Sequence, residues 1–315
     1  MYTQVFIIDQ HCDQPLFNDG LDTWEPIGQG GFGSVYKVKA VNMGHDVAIK
    51  LIHKGNDMDA EVKKEANYLK LLSCNFVLSI YGMYEGIPPF GQNKQMGMVM
   101  EFMKRGSVET LWKKLSGPPP FPLACRLIHE VAIGMNFLHS LGILHRDLKP
   151  QNVMLSDELH VRLADFGLCT ESISFNPSNQ EATDNAGTVK YMPPEAFDLN
   201  YKPSRAFDRY SFAILVWSTL SGKEPYEGIS ADLVEVKVPM GQRPSLDELS
   251  KINTEGMKDL LDLMQKCWKE DPEERPKFNE SIGCTEKVLS KHEREINKVV
   301  YQVLDKLVSN CFFLH

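Results

Sequence analysis

No two cysteines stand as a CxxC pair, and the seven present (Cys12, Cys74, Cys125, Cys169, Cys267, Cys284 and Cys311) are scattered and odd in number. A disulfide framework and a thiolate zinc site are both disfavoured, and a reducing compartment is expected. No run of Lys and Arg is dense enough for a nucleic-acid footprint or a membrane-surface patch, and the net charge is −8, from 34 basic and 42 acidic residues. The longest apolar stretch, around Phe212 to Trp217, is far too short to span a bilayer. The first residues, MYTQVFIIDQHCDQ, carry no basic segment before their short apolar run, so no signal peptide is expected. Internal repeats and low-complexity tracts are missing as well. These absences point to a globular cytoplasmic protein with no nucleic-acid partner and no stable membrane insertion. What remains is 315 residues, 43% apolar and 24% charged, enough to bury a core of one two-lobed domain or two small ones.

Residues 1–20 carry little periodicity. From Trp24 the pattern changes. Trp24 to Ile27, Ser34 to Ala40 and Asp46 to Ile52 read as short strands separated by glycine-rich or polar breaks. Ala60 to Leu72 places Val62, Ala66, Leu69 and Leu72 at helical spacing. Phe76 to Tyr84 and Met96 to Phe102 read as two further strands. After Arg105-Gly106-Ser107 the pattern turns helical. Ser107 is a good N-cap for a helix through Leu115, which Gly117-Pro118-Pro119-Pro120 terminates. Further helices are expected over Leu123 to Ser140, Ala206 to Leu220, Thr254 to Trp268, Lys277 to Ser290 and Lys291 to Leu307. The last has Ile296, Val299, Val300, Val303, Leu304 and Leu307 on one stripe, suited to docking on the rest of the chain or on a partner. This order of elements implies a small strand-rich lobe followed by a larger helical one.

Gly28-Gln29-Gly30-Gly31-Phe32-Gly33-Ser34-Val35 is a GxGxxG tract. Glycines let backbone N–H groups approach phosphate oxygens closely. Alone, the tract is equally a plain turn or a dinucleotide-binding fingerprint. The fingerprint must open a helix, whereas Val35-Tyr36-Lys37-Val38-Lys39 continues as a strand. Val47-Ala48-Ile49-Lys50 follows at hairpin distance, and Lys50 in that frame reads as a phosphate-holding lysine. Such a lysine needs an acidic partner. Glu61 and Glu65 lie one turn apart on the expected helix, and Glu65 is the better candidate, Glu61 being the ordinary surface residue.

His145-Arg146-Asp147-Leu148-Lys149-Pro150-Gln151-Asn152 is the strongest signal. Phosphoryl transfer requires an acceptor for the substrate hydroxyl proton, metals that neutralise phosphate charge, and in-line geometry. Asp147 suits the first task, Lys149 a contact to the γ-phosphate, and Asn152 a neutral oxygen ligand to Mg²⁺. Asp165-Phe166-Gly167 follows an apolar strand ending Arg162-Leu163-Ala164, and Asp165 offers Mg²⁺ the hard carboxylate it prefers. An isolated DFG is common by chance; one at this distance after HRD is not.

On these motifs residues 22–282 resemble a eukaryotic protein kinase domain. The resemblance implies an α+β, bilobal protein kinase fold, with a small β-rich N-lobe carrying one αC helix and a larger α-helical C-lobe. The implied layout is an extension at 1–21, an N-lobe at 22–101, a hinge at 101–105, a C-lobe at 106–282 and a helical tail at 283–315. ATP and Mg²⁺ are the implied cofactors, with Asp147, Lys149, Lys50 and Glu65 catalytic and Asn152 and Asp165 on the metal. The implied nucleotide contacts are Ile27, Gly28, Gly30, Gly33, Val35, Ala48, Lys50, Met100, Glu101, Met103 and Met154, with Met100 resembling the gatekeeper and Glu101 and Met103 the hinge. Met192-Pro193-Pro194-Glu195 resembles the APE motif, whose Glu pairs with a buried Arg, here Arg275; Asp208 resembles the aspartate that anchors the catalytic loop. Lys149-Pro150-Gln151 and Thr188 resemble serine/threonine rather than tyrosine kinases.

Tracts from Pro122 to Val131, Leu138 to Leu141, Asp157 to Leu168 and Phe212 to Trp217 are similar to the receptor-interacting protein kinases, and especially to their necroptotic branch. That similarity implies a protein substrate of the mixed-lineage-kinase-like pseudokinase type and association with other kinases of the family. Thr170, Ser172, Ser174, Ser178 and Thr183 are candidate autophosphorylation sites, with Arg146 as the receiving cation. The competing reading is a kinase-shaped scaffold, which loss of Lys50, Asp147, Asn152 or Asp165 would favour; all four are present.

Overall fold

The structure, a computed structural model, describes residues 21–30, 33–52, 74–165 and 188–312. The first 20 residues, the expected helix with Glu65, Phe166-Gly167 and the candidate phosphosites lie outside the described residues. The chain divides into two compact units. One is built from the residues before 72 and from Ser79–Phe102, the other from the segment ending at Leu78 and from Met103 onward.

The first unit is a five-stranded antiparallel sheet: β1 Leu21–Gly30, β2 Gly33–Ala40, β3 His45–Ile52, β4 Ile80–Gly86 and β5 Gln95–Glu101, in the order β1-β2-β3-β5-β4. Alternation along the strands sorts the side chains. Val38, Ala40, Val47, Ile49, Leu51, Tyr84 and Val99 form the buried cluster on one face, against Trp24, Tyr36 and Tyr81. Ala48 and Lys50, the alternate positions of β3, therefore project from the opposite face. The strand expected from Phe76 begins only at Ile80. Residues 76–78 instead bridge to the second unit's strand β7 (Val161–Leu163): the Leu163 N–H donates to the Phe76 carbonyl at 2.9 Å and the Leu78 N–H to the Leu163 carbonyl at 2.8 Å. Periodicity alone cannot show which sheet an apolar run will join.

The second unit contains α1 Val108–Leu115, α2 Phe121–Ser140, the hairpin β6 Val153–Leu155 with β7, α3 Arg205–Ser221, α4 Ala231–Lys237, α5 Met257–Cys267, α6 Phe278–Ser290 and α7 Glu293–Phe312. The Ser107 hydroxyl caps α1 by accepting the Thr110 N–H at 3.2 Å. α3 is buried from Ala206 to Leu220 apart from Arg209, which makes it the core helix of the unit. It starts at the Ser204 cap and ends at Gly222, whose φ of 66° suits glycine. The final helix docks on α1 and α2 of its own unit through Ile296, Val300, Val303 and Leu307. The tail boundary expected at 282 falls inside α6. Short α4, with only Val234 buried, had no apolar stripe to announce it. Among the described residues no helix is long and apolar enough to cross a membrane.

Candidate active site

In the first unit the GxGxxG tract closes the β1–β2 hairpin. Gly28 stands opposite Val35 and Gly30 opposite Gly33, whose φ of 150° is a glycine conformation. The chain then runs directly into β2, as the strand reading requires and a dinucleotide fingerprint forbids. Strand register sets two cross-strand rows: Val35, Lys50 and Met98 in one, and Lys37, Ala48 and Met100 in the next. Lys50 is only 6% exposed. Ile27 on β1 is 46% exposed. At the end of β5 the Glu101 N–H donates to the Ser79 carbonyl at 3.0 Å. Glu65, Lys50's expected partner, lies outside the described residues.

In the second unit the HRD tract has little regular structure of its own and is held from beneath. Asp208, in the first turn of α3, is completely buried. One of its oxygens accepts the Arg146 N–H at 2.8 Å; the other accepts the His145 N–H at 2.9 Å and pairs with the His139 ring at 2.7 Å. Burial alone would push this carboxyl up, but the His139 bond, the His139 and His145 charges and the His145 N–H outweigh it and hold Asp208 below the usual carboxylate range. Arg146 sits at φ +62°, a left-handed conformation that a non-glycine residue keeps only when its surroundings enforce it. His145 is fully buried, which drives its pKa down; the charges of Asp208, Asp147 and Asp165 pull the other way without prevailing. All three carboxylates therefore lie within electrostatic reach of one imidazole.

Asp147 is the hub. Its Oδ1 accepts the Thr188 hydroxyl at 3.1 Å, and its Oδ2 accepts Lys149 Nζ and Asn152 Nδ2, each at 2.8 Å. Lys149 also donates to the Thr188 hydroxyl at 2.9 Å, so that oxygen accepts from the lysine while donating to the aspartate. Asn152 Nδ2 makes a second bond, to the Asp147 carbonyl at 2.7 Å, which turns the amide oxygen away from that carboxylate. Asn152 immediately precedes β6 and Asp165 follows β7; the two ends are tied by the Ala164 N–H donating to the Asn152 carbonyl at 2.9 Å. Asp165 stands at φ +63°. Met154 is the middle residue of β6. Met103 is buried, its carbonyl accepting the Gly106 N–H at 3.0 Å.

The expected Glu195–Arg275 pair forms as a bidentate contact of 2.6 and 2.7 Å, with the Arg275 side chain wholly buried. Sequence reasoning gave no role to His139, which shares Asp208 from 69 residues away. Nor did it assign Arg126, Glu130 and His160, which hold the tip of the β6–β7 hairpin. No local signal marks such contacts, because each spans tens of residues.

A family model described as "Protein kinase domain" matches residues 21–285. Receptor-interacting serine/threonine-protein kinase 3 of Homo sapiens is 39% identical over 296 residues, covering 91% of this chain and 55% of that protein. Receptor-interacting serine/threonine-protein kinase 4 of Mus musculus is 35% identical over 294 residues, covering 90% and 36%. Receptor-interacting serine/threonine-protein kinase 2 of Bos taurus is 34% identical over 282 residues, covering 85% and 51%. The chain spans about half the length of the first of these relatives and less of the second. The strand-rich and helical units, with this match, define a bilobal protein kinase. The chain belongs to the protein kinase family and, within it, to the receptor-interacting serine/threonine kinases.

Proposed function

We propose that this domain transfers the γ-phosphoryl group of ATP to serine and threonine hydroxyls of a protein substrate. The observation that carries the reading is the Asp147 carboxylate, held by Lys149, Asn152 and Thr188 on a loop that Asp208 anchors. Asp147 orients the substrate hydroxyl and takes its proton; Lys149 steadies the γ-phosphate; Thr188 keeps the aspartate aimed. Lys50, with Glu65 as its partner, holds the α/β-phosphates under the glycine hairpin of Ile27, Gly28, Gly30, Gly33 and Val35. Ala48, Met100 and Met154 border the base. Glu101 and Met103 lend it backbone groups as hinge residues; the Glu101 N–H donates to the Ser79 carbonyl and the Met103 carbonyl accepts the Gly106 N–H. Asn152 and Asp165 suit Mg²⁺: one amide and one carboxylate oxygen are hard donors, and Asn152 commits its nitrogen, not its oxygen, to Asp147. Bound Mg²⁺ would supply neutralisation of phosphate charge.

The finer role is the one implied by the resemblance of the tracts at 122–131, 138–141, 157–168 and 212–217. The kinase acts in necroptotic or inflammatory signalling in the cytoplasm, phosphorylates a mixed-lineage-kinase-like pseudokinase and associates with other receptor-interacting kinases. The catalytic domain occupies roughly 22–282, with the tail helix packed on it. Incubation with ATP, Mg²⁺ and such a pseudokinase, followed by phosphoamino-acid analysis, tests this. Phosphoserine or phosphothreonine on the pseudokinase is expected. Phosphotransfer to a generic substrate but not to the pseudokinase would remove the finer role, and phosphotyrosine alone would remove the specificity assignment.

A further inference from the structure

The β6–β7 hairpin is too short to define itself. Its strands have three residues each, and two such strands are marginal in isolation. Yet Asn152 lies at one foot and Asp165 just beyond the other, so the register of this hairpin sets the spacing of both residues. The tip, residues 156–160, is held by side chains from α2. Arg126 and Glu130 sit one turn apart on that helix, both buried, at 9% and 5% exposure. Arg126 Nη2 donates to the carbonyls of Glu158 (2.8 Å) and Leu159 (3.0 Å). Glu130 uses both oxygens: one takes the His160 Nδ1 at 2.6 Å, the other accepts the Val161 N–H at 2.8 Å. The two α2 side chains are themselves 3.9 Å apart. Leu159 is fully buried with φ +61°, a strained conformation for leucine, and its carbonyl is one of those Arg126 holds. The Ser156 hydroxyl completes the turn by accepting the His160 N–H at 3.1 Å.

We propose that Arg126, Glu130 and His160 are positioning residues for the metal-binding pair: by clamping the hairpin tip to α2 they hold Asn152 and Asp165 at the separation Mg²⁺ needs. This rests on the reading of Asn152 and Asp165 as the metal ligands. The bonds explain the choice of residue types. An alanine or leucine at either α2 position would fold into the helix equally well, but would leave the Val161 N–H or the Leu159 carbonyl buried without a partner. A brace that only stabilised the unit would change its melting temperature. A brace that sets ligand spacing also changes how much Mg²⁺ is needed to tighten nucleotide binding.

The test is binding of a fluorescent ADP analogue to the 315-residue chain, titrated with Mg²⁺ and also measured in EDTA. Glu130→Gln keeps the size and helix propensity but loses one acceptor. It should raise the Mg²⁺ concentration for half-maximal tightening at least fivefold, with metal-free binding unchanged within twofold. His160→Ala removes one of the two bonds to Glu130 from a side chain 45% exposed, so the fold tolerates it. It should shift the Mg²⁺ requirement two- to threefold in the same direction, and it decides the matter if Glu130→Gln fails to fold. Asp165→Asn is the reference. If it leaves the Mg²⁺ dependence intact, the ligand assignment fails and the brace with it. If it shifts that dependence while His160→Ala and any folded Glu130→Gln stay within 1.5-fold of the parent, the ligand assignment stands and the brace is overturned.

Discussion

Asp208 shows how one residue can organise a site it does not belong to. Its carboxylate serves two backbone N–H groups of the HRD tract and the His139 ring, and an amide in its place offers one acceptor oxygen for all three. Asp208→Asn should therefore cost about 2–4 kcal/mol of stability, the scale of breaking a buried charged contact and leaving a donor unpaired. Urea denaturation of both forms checks this; a loss under about 0.5 kcal/mol would mean the loop is held by other contacts. His145 makes a second residue-scale statement. Burial lowers its pKa, as it does that of His129, so the unfolded chain takes up these protons at a higher pH than the folded one. Stability from these groups is complete above the unfolded value, about 6.5, and is lost as pH falls below it. The urea midpoint should drop between pH 7.5 and pH 5.5; a midpoint that holds or rises would contradict the lowered histidine pKa.

Among the elements, α2 carries the most varied duty. It receives α6 and α7 along its length, braces the hairpin through Arg126 and Glu130, and sends His139 to Asp208. It also approaches β7 closely at Gly134, where a Cβ would stand 2.7 Å from Leu163 Cδ1 and 3.0 Å from the Phe76 carbonyl oxygen. Alanine is the better helix former by about 1 kcal/mol, but overpacking a filled interior costs ~1–3 kcal/mol. Gly134→Ala should thus lower the melting temperature despite its propensity; a rise would show that β7 can retreat. This contact was not legible in the sequence, where Gly134 is one glycine in an apolar helix. The helix itself was legible, from a long amphipathic period over Leu123 to Ser140. So were the β2 and β3 strands, α1 and its serine cap, and α3. The β4 start was misread because 76–78 is as apolar as a strand and is spent on a bridge to Leu163. The fixed spacing inside HRDLKPQN announced the Lys149 and Asn152 bonds to Asp147, which span few residues, whereas the Thr188 bond reaches across 41. The supports beneath it, His139, Arg126 and Glu130, reach across 30 residues or more and had no such signature.

At the scale of the molecule the two units divide the proposed chemistry. The sheet unit presents Lys50 and the glycine hairpin, whereas the helical unit presents the proton acceptor and both metal ligands on rigid supports. The helical unit is where a loop with little regular structure is made precise. Asp208 holds its start, the hairpin holds its end, and Thr188, Lys149 and Asn152 converge on the carboxylate between. Preorganisation of that kind is what phosphoryl transfer rewards, because the protein's part is positioning and electrostatics rather than covalent chemistry. The central claim is therefore that the Asp147 carboxylate carries the transfer step. The most direct measurement is the rate of phosphate transfer from ATP to a protein substrate by the parent chain and by Asp147→Asn, with nucleotide binding measured alongside. A rate lower by about 10²–10⁴-fold, the usual span for a lost general base, with nucleotide affinity within a few fold, is the expected result. Equal rates in the two proteins would contradict it.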